Sequence, residues 1–482
     1  MINKTHKEFT ILTIGWFPNL IDRLFIPIEA KTKINFIHCL MDNPESINTV
    51  KKNYPKGRFI SILKAEEKFL NEPDYELLSG IESLGVPTIK SMILGDPYIR
   101  NLPERESFGY ATFLARSLKN TFQEIKPDVV LASNDQIHSG ISLAIAKSLN
   151  IPWVTMAFTS IPDNLTSFCC SLTPDTVIPV ASHTHNKQTN NAKSLVDSVI
   201  TGKQEVMAYK EPNTFISIVR KYGIHGANLF KRIMAGPRQK VDRYNSPKIL
   251  ERTKDISRRF INNLTLPQKH MLSSPPKGRY IYFPLHMSPE SMVDTWAPFY
   301  QDQMAFIRQL SYSIPADVEL VVKLHFSDPY NYSFNELKNL MHHYHVRIAN
   351  PFAPSLPFLE NASLVVGITG TSNFEAAVRG IPVLIFGNSP YQHFPRTERA
   401  LRPHELNSQI QRMLKMPSPS EDEIVESVAV FMSRYMPGQI NDWNRPYELD
   451  EHDKYADCFS ALATYVETTG ITENWYKQSP FI

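Results

Sequence analysis

Residues 364–394 read LVVGITGTSNFEAAVRGIPVLIFGNSPYQHF. The pattern predicts a strand, a tight turn, a short helix and a second strand, in the order Leu364–Val366, 367–372, Asn373–Arg379 and Val383–Phe386. Gly380 and Pro382 end the helix before the second strand begins. Continuous apolar runs on both sides of a crossover helix are typical of parallel strands that are buried on both faces. The turn therefore lies at the carboxyl end of a parallel strand.

This turn has the composition of an anion site. Open α/β sheets bind ligands outside the carboxyl ends of their strands, and the free N–H groups of a helix start favour a negative charge. Gly370, Thr371 and Ser372 would let a phosphate approach, and Glu375 in the first helical turn could bond a ribose or sugar hydroxyl. The alternative is local: Thr371 or Ser372 caps the helix, and Glu375 only suits the helix dipole.

Composition indicates a soluble protein of enzyme size. The chain has 482 residues, 42% of them hydrophobic and 21% charged, which favours two domains with connecting helices. A net charge of +3 argues against a nucleic-acid binder. The four cysteines form no C-x-x-C, so neither a zinc framework nor a disulfide scaffold is expected, and a reducing cytoplasm is the simplest location. No segment has the roughly twenty apolar residues that span a bilayer, and no signal peptide is recognisable, so membrane contact is expected to be peripheral.

The first half alternates strands and helices. Strands are predicted at Phe9–Ile14, Ile34–Leu40, Arg58–Leu63, Val129–Ala132 and Trp153–Ala157, and helices at Glu66–Ser79, Glu104–Ile125 and Ser139–Leu149. The turn 133–138 follows a strand and carries Asp135 and His138. We expect Asp135 to be the base that activates an acceptor hydroxyl. The alternative is that Asp135 caps the helix and His138 is solvated.

A basic segment lies in the middle of the chain. Between Lys231 and Arg259 ten Lys or Arg residues accompany three Asp or Glu. Such a segment could contact anionic lipid on the inner face of the membrane or a charged acceptor, but a solvated helix face would have the same composition.

The second half predicts another parallel sheet. Its strands are Tyr280–Pro284, Glu319–Lys323, Val346–Ala349 and the two already named, and its helices are Phe299–Ser313, Ser333–His345 and Ser355–Asn361. Helices Leu406–Met416, Glu421–Tyr435 and Asp453–Thr468 follow. The expected organisation has four parts: an N-terminal Rossmann-like acceptor domain (1–180), a helical linker (181–272), a C-terminal Rossmann-like donor domain (273–402) and terminal helices (403–482). The last of these helices is expected to pack back on the first domain.

Three polar turns should meet at one edge of the second sheet. They carry His286, Lys323 with His325, and the hydroxyl turn 370–372. Imidazoles, an ammonium, hydroxyls and backbone donors suit a diphosphate or a leaving nucleotide, whose phosphate oxygen gains charge as the glycosidic bond breaks. A single histidine beside a strand is more often a structural residue whose imidazole has found a partner.

Several motifs are absent from the sequence. There is no P-loop, no G-x-G-x-x-G, no H-E-x-x-H and no G-x-S-x-G, and no D-x-D that would clamp a metal. His342 and His345 share a helix face, but two ligands do not make a metal site. We expect neither a metal nor a bound cofactor.

Two long motifs in this half resemble a known family. FPLHMSPESMVDTW and LVVKLH at 283–296 and 320–325, followed by FLENASLVVGITGTSNFEAAVRGIPVLIFG at 358–387, are similar to the capsule polysaccharide biosynthesis family of bacterial surface-glycan glycosyltransferases, which includes capsule Kdo transferases. The resemblance covers 279–395 closely and the N-terminal half only in layout. The family commonly has His-Pro where this chain has His325 and Phe326.

The resemblance implies a GT-B architecture, in which two Rossmann-like domains face each other across a cleft. It implies that His325 contacts the donor phosphate, that Thr371 and Ser372 form the phosphate turn and that Glu375 lies near the ribose or base. The predicted function is transfer of a sugar, such as CMP-activated Kdo, from a nucleotide donor to a surface polysaccharide or glycolipid. Donor binding would rest on His286, Lys323, His325, Gly370, Thr371, Ser372 and Glu375.

Three alternatives remain at this point. A nucleotide-sugar epimerase or a polyol-phosphate transferase could use the same cleft. A non-catalytic glycan-assembly subunit could have kept the fold, and the missing proline after His325 is the main support for that alternative.

Overall fold

The computed structural model describes most of the chain. The described residues are 8–16, 20–40, 44–61, 72–133, 136–180, 185–203, 223–224, 227, 249–266, 268–288, 290–326, 329–438, 449–469 and 475–476. They form two compact units: one contains the described residues up to 183 and those from 433 onward, and the other contains the described residues between 184 and 432.

The N-terminal unit is built on a seven-stranded sheet in the order β13-β6-β5-β4-β1-β2-β3. Its strands are β1 Phe9–Ile14, β2 Ile34–Leu40, β3 Arg58–Ser61, β4 Val129–Ala132, β5 Trp153–Phe158, β6 Leu165–Cys169 and β13 Met436–Pro437. The five strands from β5 to β3 run parallel, while β6 and β13 add an antiparallel edge. The α-helices of this unit are Ile26–Lys31, Pro44–Asn53, Tyr75–Glu82, Ile89–Gly95, Glu104–Ile125, Ile137–Ser148 and Leu449–Thr469.

The last helix belongs to the N-terminal core. Phe459 packs its ring edge-on against Phe25, Phe36 and Phe168, at centroid distances of 5.2 to 6.1 Å. Burying such rings is strongly favourable, because each removes a large apolar surface from water. The C-terminal helix thus completes the core that the first strands begin.

The C-terminal unit has a six-stranded, fully parallel sheet in the order β12-β11-β10-β7-β8-β9. Its strands are β7 Tyr280–Pro284, β8 Glu319–Lys323, β9 Val346–Ala349, β10 Leu364–Gly367, β11 Val383–Ile385 and β12 Thr397–Arg399. The α-helices are His185–Ile200, Ile249–Thr265, Ser291–Asp294, Gln303–Ser311, Phe334–His343, Ser355–Glu360, Ser372–Val378, Leu406–Met413 and Glu421–Met432.

The strand order of this sheet is that of the dinucleotide-binding Rossmann fold. The chain winds outward from β7 to β9 on one side, then returns to place β10 beside β7 and winds to β12 on the other. The predicted α/β class is confirmed: the chain carries two Rossmann-like, doubly wound sheets, one in each unit.

Some predicted elements differ from the structure. The predicted helix Phe299–Ser313 is divided into a short turn, Pro298–Tyr300, and a helix that begins at Gln303, because the Asp302 side chain caps that helix by accepting from the Ala305 N–H at 2.8 Å. The first part of the predicted helix Glu66–Ser79, residues 66–71, lies outside the described residues, and the described helix is Tyr75–Glu82. Most of the basic segment 231–259 is also outside them.

Candidate functional site

The candidate site is the edge of the second sheet where the winding direction reverses. β7 and β10 are neighbours there, and the chain leaves them toward opposite sides of the sheet. Loops that follow two such strands diverge and leave a crevice, which is where open α/β sheets bind ligands. His286 follows β7, and the turn 369–372 follows β10.

His286 connects the two loops. The Thr369 N–H donates to its Nε2 at 3.4 Å, and its Nδ1 lies 3.8 Å from Oε2 of Glu290. The Gln303 side chain holds the His286 backbone with two hydrogen bonds, accepting from the N–H at 2.9 Å and donating to the carbonyl at 3.1 Å. The residue is only 9% exposed. Because a backbone N–H can only donate, Nε2 must carry a lone pair, so the proton of the neutral ring is on Nδ1.

The turn after β10 is packed tightly against this ring. A Cβ on Gly370 would lie 3.1 Å from Cε1 of His286, so glycine is what lets the turn approach. The Thr369 hydroxyl donates to the carbonyl of Met292 at 3.0 Å. Thr371 precedes helix Ser372–Val378, and its side chain makes no capping hydrogen bond there. The alternative that the Thr371 side chain caps this helix is therefore wrong.

Lys323 is turned toward the backbone of a neighbouring loop. Its Nζ donates to the carbonyls of Asn350 and Pro351, both at 3.0 Å, directly after β9. The residue is 4% exposed, and this burial lowers the pKa of Lys323 to about 8. The sequence predicted that Lys323 contributes to donor binding; the structure gives its ammonium a role in holding the loop after β9.

A pH experiment can test the position of Lys323. The folded protein should release this proton near pH 8 and the unfolded chain near 10.5, so the unfolded chain binds more protons between these values. Stability then rises with pH across that interval, by up to about 3 kcal/mol. We expect urea denaturation to show this rise relative to Lys323→Met, whereas the exposed Lys338→Met control should follow the unsubstituted protein. Parallel curves for the protein and Lys323→Met would contradict the assignment.

His325 lies just beyond Lys323 and is half-buried. Burial lowers the pKa of His325, the Glu290 carboxylate opposes that shift, and His286 and Lys323 add to it. Its ring stacks on Phe326 with centroids 4.8 Å apart. The residue that replaces the family's proline therefore contacts the imidazole directly.

Glu375 is held inside the first turns of helix Ser372–Val378. Burial raises the pKa of its carboxyl, and the Arg379 guanidinium opposes this shift. Arg379 donates to the backbone carbonyls of Glu375 and Val199, which ties helix Ser372–Val378 to the end of helix His185–Ile200. The structure therefore places Glu375 on a helix that is braced within its own unit.

Two residues beneath the turn were not predicted from the sequence. Asn373 is 1% exposed, and among the described residues neither Oδ1 nor Nδ2 of its side chain has a hydrogen-bond partner. Its amide lies against Gly367, where a Cβ would stand 1.7 Å from Oδ1. The stretch TGTSN carried a signal, since a polar residue inside an otherwise apolar helix face needs an explanation.

No protein-family model matches the chain, and no curated protein matches it. Solved structures do resemble it. The beta Kdo 2,7 transferase of KpsC from Thermosulfurimonas dismutans is 12% identical, with a TM-score of 0.31 over 72% of this chain and 89% of that one. UDP-GlcNAc 2-epimerase from Neisseria meningitidis, solved with UDP-GlcNAc, is 12% identical, with a TM-score of 0.25 over 95% and 100% of the two chains. The spinosyn forosaminyltransferase SpnP is 12% identical, with a TM-score of 0.26 over 96% and 100%.

The similar structures include a Kdo transferase of the kind that the sequence resemblance named. Both transferases and epimerases are among them. The function has to be judged from the side chains of the site.

The turn predicted in the N-terminal unit is only partly described. Asp135 lies outside the described residues. His138 is 2% exposed, its Nε2 lies 3.1 Å from the Ser133 hydroxyl, and burial lowers its pKa to about 4. The alternative of a solvated His138 is wrong, because the ring packs directly on Gly15, whose positive φ of 72° lets the chain turn beneath it.

A buried carboxylate that contacts the end of this turn was not predicted. Asp96 accepts hydrogen bonds from the backbone N–H groups of Tyr98, Ile99 and Ile137 at 2.9, 3.0 and 3.1 Å. It therefore occupies the start of helix Ile137–Ser148, the position expected for Asp135 as a cap. The sequence could not indicate this, since Asp96 reaches the helix from a distant part of the chain.

Two further properties hold for the described part of the chain. Its side chains include no group of three or more His, Cys, Asp or Glu residues that could hold a metal ion. Its helices include none with the length and apolar character needed to cross a membrane.

Proposed function

We propose that the protein is a glycosyltransferase that moves a sugar from a nucleotide donor to a bacterial surface polysaccharide or glycolipid. The donor class that we propose is a CMP-activated acidic sugar such as Kdo, as the sequence resemblance implies. One observation carries the proposal: His286 and the turn after β10 are in contact at the switch point of the sheet, through the hydrogen bond from Thr369. This is the position at which a Rossmann-like sheet receives a nucleotide.

The chemistry requires donors that face a leaving phosphate. The bond between the anomeric carbon and the phosphate oxygen breaks, and the carbon bonds to the acceptor oxygen. The acceptor proton passes to a base, and the nucleotide leaves with the negative charge that develops on its oxygen. In our proposal His325 and the hydroxyls of Thr371 and Ser372 stabilise that charge, because preorganised donors act strongly where water is excluded. Glu375 would bond the ribose.

The acceptor side of the proposal rests on the N-terminal unit. Asp135 is our candidate for the base that takes the acceptor proton, and it follows β4 as the donor turn follows β10. A base must come within hydrogen-bond distance of that hydroxyl in the complex. An Asp135→Asn variant that turns over the donor at the same rate would exclude this role.

A product assay tests the reaction class. The protein is incubated with CMP-Kdo and a Kdo-terminated glycolipid, and separately with UDP-GlcNAc and no acceptor, and the products are identified by mass spectrometry and NMR. We expect acceptor-dependent release of CMP and extension of the glycolipid. Isomerisation of UDP-GlcNAc without an acceptor would instead assign an epimerase, and inertness toward both would exclude Kdo transfer.

The charge state of His325 gives a second prediction. The pKa of His325 is below its ordinary value in the free protein, where Glu290, His286 and Lys323 surround it. A phosphate beside the ring favours the imidazolium and raises that pKa, so binding should take up a proton, and affinity should rise as the pH is lowered.

Calorimetry measures this uptake directly. CMP is titrated at one pH in two buffers with different ionisation enthalpies, and the difference in heat gives the number of protons bound. We expect the protein to bind more protons than His325→Asn, which keeps a hydrogen-bonding side chain without a titratable group. Equal uptake by both proteins would remove His325 from the phosphate site.

A further inference from the structure

We propose that Glu290 is a positioning residue of the donor site: its carboxylate fixes the proton of His286 on Nδ1, so that Nε2 remains free to hold the Thr369 N–H and, with it, the phosphate turn. This inference rests on the proposed function for its kinetic consequence only. The tautomer of His286 can be measured without any substrate.

The first argument is the geometry of the pair. Oε2 of Glu290 lies 3.8 Å from Nδ1 of His286, and the two side chains are 26% and 7% exposed. At this distance the carboxylate acts on the ring through its negative charge, and charges interact more strongly in a partly desolvated place than in water. Both tautomers of a free imidazole are accessible, and a negative charge beside one ring nitrogen favours the tautomer that carries its proton there.

The second argument is that the Glu290 backbone is fixed. Its N–H donates to Oδ2 of Asp294 at 3.1 Å, and its carbonyl accepts from the N–H groups of Val293 and Asp294 at 3.0 and 2.8 Å. Asp294 is itself buried. The backbone of Glu290 is therefore fixed by hydrogen bonds at both its N–H and its carbonyl, and this limits the positions that its carboxylate can take.

The third argument is that the contacts form a closed circuit. The Thr369 N–H donates to His286, and the Thr369 hydroxyl donates to the carbonyl of Met292, two residues after Glu290. His286 and Met292 thus hold Thr369 at both its backbone and its side chain. The wrong tautomer of His286 would set an N–H of the ring against the N–H of Thr369, and the turn would have to move.

A simpler explanation makes a different prediction. Glu290 precedes the short helix Ser291–Asp294, and a carboxylate there is favourable for the helix dipole alone. In that case the loss of the charge would lower stability slightly and would leave the tautomer of His286 unchanged. The two explanations are separated by a spectroscopic measurement and not by activity.

The test is nitrogen NMR of the protein labelled with ¹⁵N-histidine, with His286 assigned by its loss in His286→Gln. We expect the protonated-Nδ1 form in the unsubstituted protein. In Glu290→Gln a substantial share of the other form should appear, because an amide can turn either its oxygen or its NH₂ toward the ring. Glu290→Asp should retain the original form. An Nε2-protonated ring in the unsubstituted protein, or an unchanged ring in Glu290→Gln, would overturn the proposal.

Kinetics then measure the consequence for the donor. Glu290→Gln should raise the KM for the nucleotide sugar about tenfold with a smaller change in kcat, since a displaced turn weakens binding in the ground and transition states alike. Glu290→Asp should recover most of the loss. Glu319→Gln, which removes a partly exposed carboxylate that pairs with Arg347, is the matched control and should change neither the tautomer nor KM.

The outcomes separate the two levels of the proposal. A tautomer change without any nucleotide-dependent activity in the unsubstituted protein would support the role of Glu290 in the fold and reject the transferase function. Normal activity of the unsubstituted protein, with no tautomer change in Glu290→Gln, would support the transferase function and reject the role of Glu290. A KM that is unaffected by Glu290→Gln, in an active enzyme whose tautomer does change, would reject the positioning role.

Discussion

Replacing Gly367 with alanine is expected to lower the free energy of unfolding of the C-terminal unit by about 3 kcal/mol. The new Cβ would lie 1.7 Å from Oδ1 of Asn373 and 2.5 Å from its Cγ. Neither partner can give way easily, because Gly367 ends a central strand and Asn373 is buried in the helix that packs on it. Denaturation in urea, followed by circular dichroism, measures the loss.

The chain offers matched controls for this substitution. Asn373→Ala removes two polar atoms that have no partner among the described residues, so it should cost less than about 1 kcal/mol. The double variant Gly367→Ala with Asn373→Ala should recover most of the stability, since the clashing atoms are gone. At Gly278 a Cβ would meet nothing within 4 Å, and Gly278→Ala should be nearly neutral. Equal effects at Gly367 and Gly278 would contradict the packing described for the turn.

The second large effect is expected for activity. His325→Ala should lower kcat/KM of the proposed transfer by about a hundredfold or more, the range found when one donor to a developing oxyanion is removed. The physical reason is that His325 is half-buried at the carboxyl edge of the sheet, where a donor is screened less by water than on the open surface. Steady-state kinetics with the nucleotide sugar that proves active measure the loss.

His343→Ala is the control for this variant. His343 is an exposed imidazole near the end of helix Phe334–His343, in the same unit, and its removal should leave kcat/KM unchanged. His325→Asn should be intermediate, because the amide can donate to the phosphate but carries no charge. Activity of His325→Ala within about twofold of the unsubstituted enzyme would exclude the histidine from catalysis.

Much of the sheet architecture could be predicted from the sequence. Tyr280–Pro284, Glu319–Lys323 and Val129–Ala132 are strands with the predicted bounds, because each is a continuous apolar run that ends at a polar turn. The order of the strands then follows from right-handed crossovers, and it brings the polar turns of the second sheet to one edge. For this reason His286 and the turn 369–372 could be expected near each other.

Short edge strands could not be predicted in the same way. Thr397–Arg399 has no apolar residue and Met436–Pro437 is only two residues long, so neither has a pattern of its own. Both are defined by their hydrogen bonds to a neighbouring strand. The strand Leu165–Cys169 was not predicted either. It is defined by its antiparallel pairing with β5, which the sequence pattern does not indicate.

Side-chain partners inside the site also lie beyond sequence reasoning. Lys323 was expected to face a phosphate, but its ammonium donates to two backbone carbonyls. These contacts depend on the conformation of the loop after β9. Glu290 was not singled out, since its importance appears only once the ring of His286 is seen between it and Thr369. Such partners depend on side-chain rotamers and loop conformations, which residue types and their spacing do not specify.

The most direct test is whether a nucleotide binds the C-terminal unit at this edge. Thermal denaturation of the protein is followed with CMP, CDP, UDP, GDP and their sugars, beside His325→Ala and Ser372→Ala. A ligand that binds only the folded protein raises Tm by mass action. We expect one nucleotide class to raise Tm and both substitutions to abolish that rise while leaving the Tm without ligand nearly unchanged. If no nucleotide raises Tm, or if both variants respond as the unsubstituted protein does, the donor site is not where we have placed it.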